Sequence, residues 1–270
     1  MESLSKIKET VRLPLTVNLP PYLMDHQFRG KAVLPAVEAL EILAVSTLNH
    51  LPETAVHSIC NATFDKFLII EDDQHQMKAF NDLEVFENGT VISKLITKTQ
   101  SKKALITRTR VHAALCFQGV SCDTEPSPLE IQTASEHHIP FAAIYQNWVP
   151  FGPAYHNLKG VTLFKKSAIG AVYAPVLGDS EGLLGSPFPL DAAFHAACVW
   201  GQRHAGLVGF PVAFGLRRLF VPTCSGNTYT AKIFPKEVLP DRFLVDIWIT
   251  DTNGTLREVA FDVVMKGGMW

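Results

Sequence analysis

The chain has no C-x-x-C pair, no H-E-x-x-H, no glycine-rich phosphate loop, no long apolar run and no dense basic cluster. Each absence closes off a class of function. Without the first two, the histidines and cysteines lack a zinc-binding spacing, so no metal is expected. His137-His138 would point to opposite sides of a strand, which argues against a two-histidine site there. Neither G-x-x-x-x-G-K-S/T nor G-x-G-x-x-G occurs, so phosphate-loop and dinucleotide-binding folds are unsupported. No apolar run approaches the ~18 residues of a membrane span, and the polar opening Met1 to Lys6 does not resemble a secretory signal. Five scattered cysteines (Cys60, Cys116, Cys122, Cys198, Cys224) suit a reduced, cytoplasmic protein better than a disulfide framework. They read as mostly buried small hydrophobes. A formal net charge of −2, with Lys102-Lys103, Lys165-Lys166 and Arg217-Arg218 as isolated pairs, gives no nucleic-acid surface.

What the chain does have is apolar residues, 47% against 19% charged over 270 residues, enough for two ordinary domains or one large one. Gly119 to Pro128 mixes small, acidic and proline residues without periodicity. A linker over 119–139 therefore divides an N-terminal unit, 1–118, from a C-terminal unit, 140–270. The two share an element order. In the first, an extended lead from Leu13 to Met24 precedes a helix from Pro35 to Leu51. Strand-like runs follow at 62–70, 76–87, 90–99 and 104–117, with Asn88-Gly89 as a hairpin turn. In the second, strand-like segments flank Gly160 to Pro175, and a Gly/Ser/Pro-rich loop leads to a helix from Leu190 to Ala205. Strands follow at 214–221, 227–235, 243–251 and 255–265, with a second Asn-Gly turn at Asn253-Gly254. Two long helices among many long strands suit an α+β fold of sheets wrapped around helices. A parallel α/β fold would need more helices.

Two motifs carry candidate chemistry. His26, Gly30 and Pro35 form H-x-x-x-G-x-x-x-x-P just before the first helix; Asp191 and His195 form D-x-x-x-H on the opening turn of the second. A neutral imidazole is the side chain best balanced to accept a proton near neutrality. A carboxyl works as an acid there only if burial beside groups such as Phe188, Leu190 and Phe194 raises its pKa. Asp at a helix start is also a common cap, but four-residue spacing puts Asp191 and His195 on one face. The segment from Gly30 to Pro35 leads into a helix N-terminus, whose free N–H groups suit a developing oxyanion.

With Phe151-Gly152-Pro153-Ala154-Tyr155, similar to Y-G-P-x-F, and Pro211-Val212-Ala213-Phe214, similar to part of L-P-F-x-W, these motifs follow one another as in a known family. The chain resembles the dehydratase domains of polyketide synthases from about Leu13 to Lys266. Phe151 stands where the family has a tyrosine, and Phe214 where it has a tryptophan.

The resemblance implies a double hotdog fold, with two antiparallel sheets each wrapped around a long central helix and fused as a pseudo-dimer. It implies dehydration of a 3-hydroxyacyl thioester, with His26 as base and Asp191 as acid. His195 would orient the hydroxyl or Asp191, while Gly30, Pro35, Phe151, Gly152, Pro153, Tyr155 and Phe214 would shape the substrate tunnel. No metal or redox cofactor is implied; the substrate rides on the phosphopantetheine of an acyl carrier protein. The expected partners are that carrier and other synthase domains, with a homodimer left open. The alternatives are an enoyl isomerase or cyclase on the same fold, or a non-catalytic acyl-binding module.

Overall fold

The computed structural model describes residues 6–100, 107–118, 137–177 and 181–267. The N-terminal half opens with strand β1 (Ile7–Asn18) and a 3-10 turn at Pro21–Asp25. The short strands β2 (Gln27–Phe28) and β3 (Lys31–Val33) lead into helix α1 (Ala36–His50). Next come β4 (Ser58–Thr63), β5 (Ile69–Ile70), β6 (Gln76–Phe86), β7 (Val91–Gln100) and β8 (Thr107–Phe117).

The C-terminal half begins with β9 (His137–Pro140), helix α2 (Phe141–Asn147) and a 3-10 turn at Pro153–Tyr155. It continues with β10 (Leu158–Phe164), β11 (Ser167–Tyr173) and helix α3 (Phe188–His204). β12 (Phe210–Leu219), β13 (Thr228–Val238), β14 (Arg242–Asp251) and β15 (Leu256–Lys266) complete it. The expected linker lies outside the described residues as far as position 136; His137 to Ile139 already belong to β9.

Where the sequence suggests two sheets, hydrogen bonding makes one of twelve strands, in the order β1-β6-β7-β8-β4-β12-β15-β14-β13-β11-β10-β9. The join is β4 with β12, antiparallel from Ala213 opposite Thr63 to Arg218 opposite Ser58. Pairing these strands satisfies N–H and C=O groups that two separate sheets would leave at raw edges. A second, three-stranded sheet (β2-β3-β5) packs against the 3-10 turn at Pro21–Asp25.

Helix α1 packs on β1, β6, β7 and β8, whereas α3 packs on β10 to β14 and also touches α1. Every residue of α3 from Phe188 to Gly201 is buried. That explains why its apolar residues run all round the helix and not along one stripe. Under α1, Ser46, Thr47, Asn81 and Ser93 form a buried hydrogen-bond cluster, with Ser93 donating to Asn81 Oδ1 at 2.8 Å. Among the described cysteines, Cys60 and Cys198 are buried, Cys116 is half-buried and Cys224 is exposed. Among the described residues no helix is long and apolar enough to cross a membrane.

Candidate active site

His26 is placed by local backbone structure. Its N–H closes the 3-10 turn onto the Leu23 carbonyl at 3.1 Å, and its C=O accepts the Val33 N–H at 2.9 Å across the β2–β3 hairpin. Arg29 (φ 51°) and Gly30 (φ 72°) make that hairpin's turn, so Gly30 supplies a left-handed residue and does not crowd a neighbour. The side chain then returns to the same place, with Nδ1 lying 3.0 Å from the Val33 carbonyl oxygen. A carbonyl only accepts, so Nδ1 carries the proton of the neutral ring and Nε2 is left with its lone pair. Burial pushes the imidazole pKa down, outweighing the opposing pull of Asp191 and of the Val33 carbonyl. Phe151 stacks on one face of the ring (4.5 Å between centroids, 18° between planes), and Tyr155 lies against it at 5.0 Å.

The basic nitrogen faces the second motif. His26 Nε2 lies 4.0 Å from Asp191 Oδ1, and His195 Nε2 lies 3.1 Å from Asp191 Oδ2. The latter pair is in contact but poorly aligned, so neither Asp191 Oδ2 nor His195 Nε2 has a well-directed hydrogen-bond partner. Tyr145 Oη accepts the Leu158 N–H at 2.8 Å and sits 3.3 Å from His195 Nδ1. With the Tyr145 hydroxyl donating to Nδ1, the neutral His195 ring carries its proton on Nε2, toward Asp191. The sequence reading requires burial to raise the Asp191 pKa. Burial does act upward, but the attraction between the carboxylate and the facing imidazoles of His195 and His26 outweighs it, holding the carboxyl below its usual range. The net direction is the reverse of that expected, because two imidazoles face one carboxylate. Its place in the first turn of α3 favours the anion as well.

A residue that sequence reasoning missed ties the halves together. Asp25, next to His26, accepts the Ala154 N–H on Oδ2 at 2.8 Å, and its backbone carbonyl accepts the Gly152 N–H at 2.7 Å. A Cβ at Gly152 would fall 2.5 Å from the Asp25 carboxyl carbon, so this position requires glycine. Gly152-Pro153 is thus the turn that brings Phe151 and Tyr155 against His26. Glu41, also missed, accepts the Leu183 and Leu184 N–H groups at 2.7 and 2.8 Å and anchors the loop before α3. Only an acid following an apolar helix stripe marked it in the sequence.

His26, Asp191, His195 and Phe151 line a cavity of about 90 Å³, together with Val149, Phe194, Pro211 and Val212. Through Val149, Phe151, Cys198 and Phe210 it adjoins an outer cavity of about 280 Å³ that includes Gly30 and Arg29. Pro35 precedes α1, and its neighbours Leu34 and Ala36 line the inner cavity. The Val33 and Leu34 N–H groups are taken by the His26 and Leu68 carbonyls. The donors left for an oxyanion are therefore those of the first α1 turn, which no helix pairs internally. Phe214 is not among the residues lining the cavity; it is buried against Phe64, at 6.0 Å between centroids. His204 stacks on Trp200, away from Asp191 on α3.

This architecture is that of the dehydratase domains of polyketide synthases. The dehydratase domain of a mycocerosic acid synthase-like polyketide synthase superposes with a TM-score of 0.78, covering 99% of this chain and 98% of that one at 16% identity. An inactive His-to-Phe mutant of a curacin synthase dehydratase gives 0.75, with 98% and 94% covered, also at 16% identity. In sequence, the chain is 26% identical over 214 residues to one component of the polyunsaturated fatty acid synthase of Thraustochytrium sp., a match spanning 75% of this chain and 7% of that protein. No protein-family model matches the chain.

Proposed function

We propose that the chain is a dehydratase that removes water from a 3-hydroxyacyl thioester, carried on the phosphopantetheine of an acyl carrier protein, during polyketide or fatty-acid-like synthesis. The observation that carries this reading is the unprotonated Nε2 of His26, fixed by Val33 and facing Asp191 Oδ1 across 4.0 Å. In the proposed reaction, His26 Nε2 takes the α-proton as the C–H bond breaks. The electron pair forms the C=C bond while the β C–O bond breaks. The departing hydroxyl takes a proton from the Asp191–His195 pair and leaves as water. The reacting form carries one proton more than the resting pair described above, taken up from solvent and held on Asp191 or as the His195 imidazolium, in which Nδ1 donates to the Tyr145 hydroxyl. The N-terminus of α1 stabilises charge on the thioester oxygen. His26 and Asp191 face each other closely enough for the α-proton to restore the pair afterwards, so the elimination balances with no redox partner.

The fold supports the reading, as does the curacin dehydratase that is inactive when a histidine becomes phenylalanine. The carrier protein and neighbouring synthase domains are its proposed partners, in the cytoplasm.

The test is mass-spectrometric loss of water from a 3-hydroxybutyryl pantetheine thioester. Wild type is expected to turn over, with His26→Ala and Asp191→Asn each slowing it by ~10²–10⁴ while retaining a native circular-dichroism spectrum. A wild type inert across short and long chains would overturn the reading in favour of isomerisation, cyclisation or acyl binding.

A further inference from the structure

Two thiols stand opposite one another in the large sheet, and neither lines the cavity that holds His26. Cys60 on β4 is the direct antiparallel partner of Cys116 on β8. The next pair in that register, Ile59 with Phe117, is buried in the core, so alternation turns the two cysteines to the other face of the sheet. There Leu216 of β12 flanks Cys60, and Ile92 of β7 flanks Cys116. Both thiols are free; Cys60 is buried and Cys116 half-buried.

The geometry is ready for a bond between them. The Cys60 thiol reaches across the pair and donates to the Cys116 carbonyl oxygen at 3.3 Å. Directly opposed residues of an antiparallel pair have Cα atoms about 4.5–5.5 Å apart, and a disulfide accepts about 4.4–6.8 Å. Joining the sulfurs therefore takes side-chain rotation and no displacement of a strand. Just beyond the pair the register shifts, between Cys60 and Thr63, with Asn61 at φ 49°. Such a bulge releases the backbone there from a continuous ladder. Because β4 also pairs with β12, a bond to β8 would fasten the strand that joins the halves.

The two thiols are not equivalent. Hydrogen bonding from the Cys60 side chain draws the Cys116 pKa down, against the upward effect of burial. The same hydrogen bond, with burial, pushes the Cys60 thiol up. An accessible cysteine that favours its thiolate, set beside a buried second thiol, is the usual arrangement of an oxidant-sensing residue and its resolving partner.

We propose that Cys60 and Cys116 form a reversible redox site that reacts with a peroxide, Cys116 being oxidised first and Cys60 closing a disulfide across β4 and β8. The Cys116 thiolate attacks one oxygen of hydrogen peroxide. The O–O bond breaks, giving a sulfenic acid on Cys116 and hydroxide, which takes up the proton the thiol released and becomes water. The Cys60 sulfur then attacks the sulfenic sulfur; the S–S bond forms, the S–O bond breaks, and the hydroxyl leaves with the Cys60 proton as a second water. The two thiols supply the two electrons that reduce the peroxide. Two equivalents of a thiol such as glutathione reopen the bond by exchange and leave as their own disulfide.

The test uses the intact chain, hydrogen peroxide as oxidant and mass-spectrometric peptide mapping without reduction. Wild type is expected to lose two hydrogen atoms through a bond joining the Cys60 and Cys116 peptides, and dithiothreitol is expected to restore both thiols. In Cys60→Ser, dimedone should trap the sulfenic acid on Cys116; in Cys116→Ser, Cys60 should stay unlabelled. Oxidised wild type should melt roughly 5–10 °C above the reduced form, with no such shift in Cys60→Ser. The absence of a crosslink, a bond to another cysteine, or label on Cys60 in place of Cys116 would overturn the proposal. So would a melting temperature that does not rise on oxidation, since the strands would then have to leave their register to accept the bond.

Discussion

Asp25 Oδ2 accepts the Ala154 N–H at 2.8 Å, so the residue beside His26 holds the very turn that lays Phe151 and Tyr155 against the His26 ring. The proposed base and the wall of its pocket come from different halves of the chain, and one carboxylate registers them. Gly152 makes room for that carboxylate.

Gly152→Ala is therefore expected to lose about 1–3 kcal/mol of stability, the usual cost of forcing extra volume into a packed site. Activity should fall further than stability alone accounts for, because the His26 ring loses its fixed neighbours. Urea denaturation together with the dehydration assay checks both. An alanine variant as stable as wild type would show that the turn adjusts without Asp25.

Burial of the His26 imidazole gives the stability of the chain a defined pH dependence. Its native pKa lies below the ordinary histidine value of about 6.5, because desolvation disfavours the charged ring. Between that value and the lower native one, the unfolded chain binds a proton that the native protein does not. Stability is accordingly lost as pH falls through this window and is fully present above it. His26→Phe should make the denaturation midpoint less sensitive to acid over that interval. In the wild type, the acid limb of kcat/KM should fall below the ordinary histidine value.

Close to the join between the halves, Arg217 on β12 and Glu258 on β15 form a buried pair, with Arg217 Nε and Nη2 both 2.7 Å from Glu258 Oε2. Removing one partner leaves a buried charge without its counterpart. Arg217→Met should cost about 3–5 kcal/mol, whereas Arg217→Met with Glu258→Leu should recover most of that loss. Chemical denaturation of the single and double variants distinguishes them. Equal losses would mean that the pair is held by its packing and not by its charges.

Much of this architecture was legible in the sequence wherever the signal was local. Both long helices lie within two residues of their expected ends, and the Asn88-Gly89 and Asn253-Gly254 turns join β6 to β7 and β14 to β15. His26, Asp191 and His195 meet as their motifs suggested. What escaped depends on partners distant in the chain. The single strand expected over 62–70 is instead split between β4 at Ser58–Thr63, placed by pairing with β8 and β12, and the short β5 at Ile69–Ile70, paired with β3. The lead before His26 becomes the long strand β1 only because β6 lies beside it. Asp25 carried no signal of its own, since its partners are the Gly152 and Ala154 backbone N–H groups. The direction of the Asp191 shift escaped for the same reason: it is set by two imidazoles, one of them contributed by the other half.

The pairing of β4 with β12 has one more consequence. A fragment ending after the first half would present β4 as an open template, and the complementary fragment would present β12. Each would be an aggregation hazard in isolation. Mixed together, the two fragments offer each other the one strand whose register fits, so the molecule lends itself to reconstitution from two pieces.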